Sequence, residues 1–76
     1  MLQGPQEAIL GGVNTFEIHG QKYYDILYEL EGGELGKARL GPEVIYADPK
    51  VGDRVRLHFV MGMVIKVEKE GRMKGR

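Results

Sequence analysis

The sequence predicts an all-β fold. Twelve glycines among 76 residues leave few uninterrupted stretches that could hold a helix of three turns. Between them, four separate runs alternate polar and apolar side chains with period two, the pattern of half-buried antiparallel strands.

The first strand is expected near residues 7–19, where Phe16 and Ile18 alternate with Thr15, Glu17 and His19. Gly11-Gly12 in its middle marks a bulge or sharp bend, so this one strand can serve two sheets. A turn at His19-Gly20-Gln21 leads into a second strand, 22–31, in which Tyr24, Ile26, Tyr28 and Leu30 alternate with Asp25, Glu29 and Glu31. Glu31-Gly32-Gly33 then turns the chain into a third strand, 34–40. Pro42 and Pro49 bracket Glu43 to Asp48, a stretch too short for a full helix and read as an edge strand or a single helical turn. In the fourth strand, 54–60, Val55, Leu57 and Phe59 oppose Arg54, Arg56 and His58. After a turn at Met61-Gly62 the fifth, 63–69, sets Met63, Ile65 and Val67 against Lys66 and Glu68. Residues 1–70 thus read as a single domain and 71–76 as a basic flexible tail. Five short strands with a bent first strand and an irregular insert predict a small five- to six-stranded barrel, OB-like or SH3-like.

Composition narrows the function. At 8.5 kDa the chain has room for one small core and little for a deep substrate pocket. Without cysteine, no disulfide, thiol nucleophile or Cys-ligated metal is available. No apolar run approaches the roughly 20 residues of a membrane span, and Met1 to Gln6 lacks the basic start of a signal peptide, so a cytoplasmic protein without membrane contact is expected. Serine is absent, and charged residues make up 29% of the chain, a balance typical of thermophile proteins.

The run Val51-Gly52-Asp53-Arg54-Val55-Arg56-Leu57-His58-Phe59, followed by an apolar strand and Glu68-Lys69-Glu70, resembles the C-terminal half of the hydrogenase-assembly chaperones of the HypC/HupF type. That resemblance implies an OB-like barrel and a general assembly role. The family's cysteine after the initiator methionine is replaced here by Leu2, so its iron-carrying chemistry is not implied.

No catalytic constellation is present: serine and cysteine are missing, and Gly32-Gly33-Glu34-Leu35-Gly36-Lys37 lacks the spacing of a phosphate-binding loop. The chain is read as non-enzymatic, with no cofactor and no metal. Met61 and Met63, beside His58, are read as fillers of irregular core gaps. Charge carries more information. Residues 1–49 hold three basic and eight acidic side chains, a balance of −5, and residues 50–76 hold eight and three, a balance of +5. Arg54, Arg56 and His58 alternate onto one strand face, and Tyr23 and Tyr28 lie on opposite faces of the second strand, so one ring should reach solvent. Single-stranded nucleic acid or RNA is therefore the expected ligand, with Arg54, Arg56, His58 and Lys66 near phosphate and Tyr23 or Tyr28 stacking a base. The same charges would also serve as a solvated face balancing acids across the sheet. The alternative function is a protein-interaction or assembly module, homodimeric through an edge or an apolar patch.

Overall fold

Period-two alternation becomes five strands: β1 (Gly4–Ile18), β2 (Gln21–Leu30), β3 (Leu35–Leu40), β4 (Arg54–Val60) and β5 (Met63–Lys69). The computed structural model describes residues 2–70; the tail predicted at 71–76 lies outside the described residues. The strands form one antiparallel sheet in the order β3-β2-β1-β4-β5. The turns between β1 and β2 and between β4 and β5 each place two residues at positive φ, His19-Gly20 and Met61-Gly62. That matches the mirror-image two-residue turn whose twist suits a hairpin.

β1 begins three residues earlier than the sequence suggests and holds the sheet together. It pairs with β4 through Gly4–Ile9 and with β2 from Ala8 to Ile18, with a register shift between Leu10 and Gly12. The glycine pair is thus a bulge, as expected. Its effect on side-chain direction, however, overturns the reading of the strand's second half. Ala8 and Leu10 point into the core, but the extra residue reverses the alternation. Beyond it Val13 packs inward while Phe16 is half-buried and Ile18 is 42% exposed on the outer surface.

A second bulge does the same to β5. The β4–β5 register shifts between His58 and Phe59, which pair with Lys66 and Val64. Ile65 is left over, Val64 packs against the core, and Met63 and Ile65 are 68% and 51% exposed. Met61, at the turn, is also 68% exposed. The methionines therefore fill no core gap.

The core gathers Leu10, Ile26, Val55, Leu57 and Phe59, each at most 2% exposed, with Tyr24, Leu30, Leu40, Ile45 and Val67 around them. Tyr28 belongs there too, at 8% exposure, its ring edge-on to Phe59 at 6.2 Å. It is therefore corrected from candidate stacking ring to core residue, because it shares the inward parity of Tyr24 and Ile26. The insert after β3 contains no helix; residues 42–44 turn and Ile45 makes one parallel bridge to Val67. There the Val67 amide donates to the Val44 carbonyl at 2.7 Å.

Val51-Gly52-Asp53 has a structural task. The Asp53 amide donates to the Lys50 carbonyl at 3.1 Å, and Gly52 has a φ of 95°, so Lys50 to Asp53 form a turn whose third residue needs glycine. The turn docks on β1 at its bulge, where the Leu10 amide donates to the Asp53 carbonyl and the Gly52 amide to the Leu10 carbonyl, at 2.9 and 2.8 Å. One carboxylate oxygen of Asp53 accepts from the Tyr46 hydroxyl at 2.6 Å and from the Lys50 amide at 3.0 Å.

The Tyr46 hydroxyl holds the Asp53 carboxyl below the usual carboxylate range, against the opposing effect of burial. A carboxyl depressed in the folded state adds stability above its unfolded pKa, near 3.9, and that stability disappears as pH falls through the folded value. Urea melts from pH 6 to pH 2 should therefore show stability declining below about pH 4. Tyr46→Phe should make the decline shallower without abolishing it, since Glu7, Asp25 and Glu68 are depressed by Arg56, Arg39 and His58. An unchanged pH profile in Tyr46→Phe would remove this hydrogen bond from the explanation.

Candidate nucleic-acid interface

The bulge in β1 builds the outer face of β1, β2 and β3. Register places three rows across it: Gly12 beside Leu27 beside Lys37, Asn14 beside Asp25 beside Arg39, and Phe16 beside Tyr23. In the last row the two rings stack, with centroids 5.9 Å apart and planes 26° from parallel. The Arg39 guanidinium lies over the Phe16 ring at 4.6 Å. Cation and ring attract through the ring quadrupole, so Phe16 contacts both a guanidinium and a second ring. No further ring or cation covers Tyr23 among the described residues.

Asp25 fixes Arg39 in that position. The guanidinium donates from Nε to Oδ1 at 2.9 Å and from Nη2 to Oδ2 at 3.2 Å, a two-pronged geometry that holds its plane as well as its charge. Arg39 in turn holds the Asp25 carboxyl below the usual carboxylate range. Both side chains are well exposed, 63% and 41%, so the pair orders the surface more than it stabilises the fold.

An open groove of about 790 Å³ crosses the same three strands. Asn14, Asp25, Leu27, Lys37 and Arg39 line it, together with Val51 from the turn before β4. Ile26 also lines it, and since its side chain is buried in the core it does so through main chain. Val13 and Ala38, partly buried against the core, line it as well. Gly12 keeps one end low, because a Cβ there would lie 3.1 Å from the Leu27 side chain.

The basic strand face expected from sequence forms on β4, with a different electrostatic character. Arg56 Nε donates to Glu7 Oε2 at 2.9 Å, and its Nη2 is 3.0 Å from Glu70 Oε2. His58 Nε2 lies 2.8 Å from Glu68 Oε1, and Lys66 Nζ lies 3.5 Å from the other oxygen of the same carboxylate. Arg54 makes no ion pair among the described residues. The strip is thus interleaved with acids from β1 and β5, because the antiparallel register sets Arg56 between Glu7 and Glu68.

Tyr23 does not join that strip. It pairs with Phe16, nine residues along β1 from Glu7, on the order of 30 Å of strand path. Sequence reasoning found Tyr23 and missed Phe16, Asn14, Asp25, Lys37 and Arg39. The available signal was Gly11-Gly12: once a bulge is granted there, Phe16 moves from the core face to the outer one.

Among the described residues, no group of three or more His, Asp or Glu side chains is arranged to hold a metal ion. No helix among them is long and apolar enough to cross a membrane. No family model, curated protein or solved structure matches the chain, so the chaperone resemblance of residues 51–70 rests on those residues alone.

Proposed function

We propose that the protein is a non-enzymatic binding module for single-stranded nucleic acid, DNA or RNA, and that its ligand surface is the outer face of β1, β2 and β3. The observation that carries this reading is the half-buried stack of Phe16 and Tyr23, with the exposed Arg39 guanidinium over Phe16, beside an open groove bordered by Lys37. Aromatic rings on a sheet face accept any base by its π-surface, and nearby cations follow the backbone.

The strand order supports the same reading. The sheet runs β3-β2-β1-β4-β5, and the chain just after β3 returns parallel to β5 through Ile45 and Val67. We infer that the sheet curls toward a small barrel of the OB type, whose second and third strands form a face that binds oligonucleotides and oligosaccharides. Here that face carries Tyr23, Asp25, Leu27, Lys37 and Arg39.

Fluorescence anisotropy with labelled oligothymidylate and oligouridylate at low salt tests the proposal. Tyr23→Ala should weaken binding by about 1–3 kcal/mol, the scale of one base–ring stack, and Phe16→Ala should weaken it less, since Phe16 acts by supporting Tyr23. Replacing Lys37 should lower the salt dependence by about 0.7 units, one phosphate contact, and replacing Arg39 as well should add less, because Asp25 already neutralises it. Replacing Arg54 and Arg56 should change it less, because both stand on β4 against Ile9 and Glu7, away from the Phe16–Tyr23 row. Absence of binding to any oligonucleotide at low salt, where the electrostatic attraction is strongest, would sink the proposal.

A second reading, a protein-contact or assembly module that pairs with another protein or with itself, is favoured by one observation. Val60, Met61, Met63 and Ile65 are all exposed at the β4–β5 hairpin, and adaptable methionine surfaces suit varied partners. It predicts a concentration-dependent elution volume in size-exclusion chromatography that Met61→Ser with Met63→Ser abolishes.

A further inference from the structure

Resting on the nucleic-acid reading, we propose that the groove seats a second base, in the hollow that Gly12 leaves between Leu27 and Val51, and that this base is not the immediate neighbour of the one on Tyr23. The strand is held at two bases, with at least one nucleotide between them that serves only as a tether.

The groove is apolar where the sheet face is lowest. Gly12 lies beside Leu27 on β2, so close that a Cβ at position 12 would come within 3.1 Å of the Leu27 side chain. On the other flank of β1 the Gly52 amide donates to the Leu10 carbonyl, which brings Val51 in from the β4 side. Leu27 and Val51 are 54% and 65% exposed, and both line the groove with Gly12. A lone exposed leucine or valine is ordinary surface. Two of them flanking a residue without a side chain form an apolar hollow, on which a base can pack its flat face while its polar rim stays in water.

Charge favours this occupant. Lys37 stands in the same row as Leu27 and makes no ion pair among the described residues. Arg39, one row nearer Tyr23, is held by Asp25. Of the two, the unpaired cation is thus the one beside the hollow, where it can meet the phosphate of the nucleotide seated there.

Register sets the spacing. Tyr23 and Leu27 are four residues apart on β2, about 13 Å of strand. Bases stacked in one strand rise only about 3.4 Å per nucleotide, so stacked neighbours span roughly a quarter of that distance. The row of Asn14, Asp25 and Arg39 that lies between offers no ring, and its guanidinium and carboxylate are already paired.

The test uses nine-residue DNA strands of constant phosphate number, in which two thymidines are the only bases and every other position is abasic, titrated against the intact protein by anisotropy at low salt. Affinity should peak with roughly one to three abasic positions between the thymidines. The peak should stand about fivefold or more above the adjacent pair, the lower end of one added base contact. Leu27→Ser, at an exposed site, should flatten the peak while leaving a strand with a single thymidine, which takes the Tyr23 ring, bound as before. A profile that is flat, or tightest for the adjacent pair, would overturn the two-base proposal and leave the binding reading intact. A peak that survives Leu27→Ser would overturn the placement of the second base. Failure of every strand to bind, the all-thymine one included, would overturn both the proposal and the reading it rests on.

Discussion

Phe59→Ala is expected to lower the free energy of unfolding by about 3–5 kcal/mol, read from urea melts at neutral pH. The ring is 2% exposed, on the inward side of β4 between Val55 and Leu57 on one hand and the edge of Tyr28 on the other. Its loss removes a buried aromatic surface and leaves a space that neighbours on four strands cannot all close. In so small a domain that is a large part of the total stability. Arg56→Ala is the control on the opposite face of the same strand. Its two ion pairs are exposed to solvent, so the melt should stay within the scatter of surface substitutions. A melt more sensitive at Arg56 than at Phe59 would mean that the β4 register is wrong by one residue.

β4 was the most legible strand because nothing interrupts its alternation from Arg54 to Phe59. β2 was equally plain in its inward set, Tyr24, Ile26, Tyr28 and Leu30, yet it misled where function was at stake. The even-numbered tyrosines are in the core, so only the odd-numbered Tyr23 reaches the surface. The two strands read least well each contain a bulge. One extra residue at Gly11-Gly12 turns Phe16 and Ile18 outward, and another at Ile65 turns Met63 outward, while the apolar pattern along the chain looks unbroken. Alternation reports which residues share a face only as far as the next bulge. The candidate site was hidden for the same reason. Phe16, Tyr23 and Arg39 come from three strands, and their meeting depends on two registers that no local pattern specifies. The Arg54-Arg56-His58 alternation was visible, but its neutralisation was not, because Glu7 and Glu68 reach it only through pairing of β1 and β5 with β4.

Gly36→Val is expected to destabilise the protein by about 3 kcal/mol, the upper range for overpacking a filled site. Gly36 pairs with Tyr28 across β3 and β2, and a Cβ at position 36 would lie 2.5 Å from both the Tyr28 hydroxyl oxygen and ring carbon Cζ. The tyrosine ring covers the glycine as a lid, burying backbone that a bare glycine would leave open. Retreat is blocked on the other side by Phe59, whose ring meets Tyr28 edge-on at 6.2 Å. The clash therefore cannot be relieved by rotating one side chain, and the edge strand β3 must move. A double-mutant cycle separates this cause from the weak strand preference of glycine itself. Tyr28→Leu removes the outer part of the ring and should be destabilising alone, but in its presence Gly36→Val should cost far less than in the wild-type chain. Strict additivity of the two substitutions would show that the Tyr28 ring is not what excludes a side chain at position 36. A strongly favourable coupling would fix the contact between β2 and β3 on which the positions of Asp25, Lys37 and Arg39 on the outer face depend.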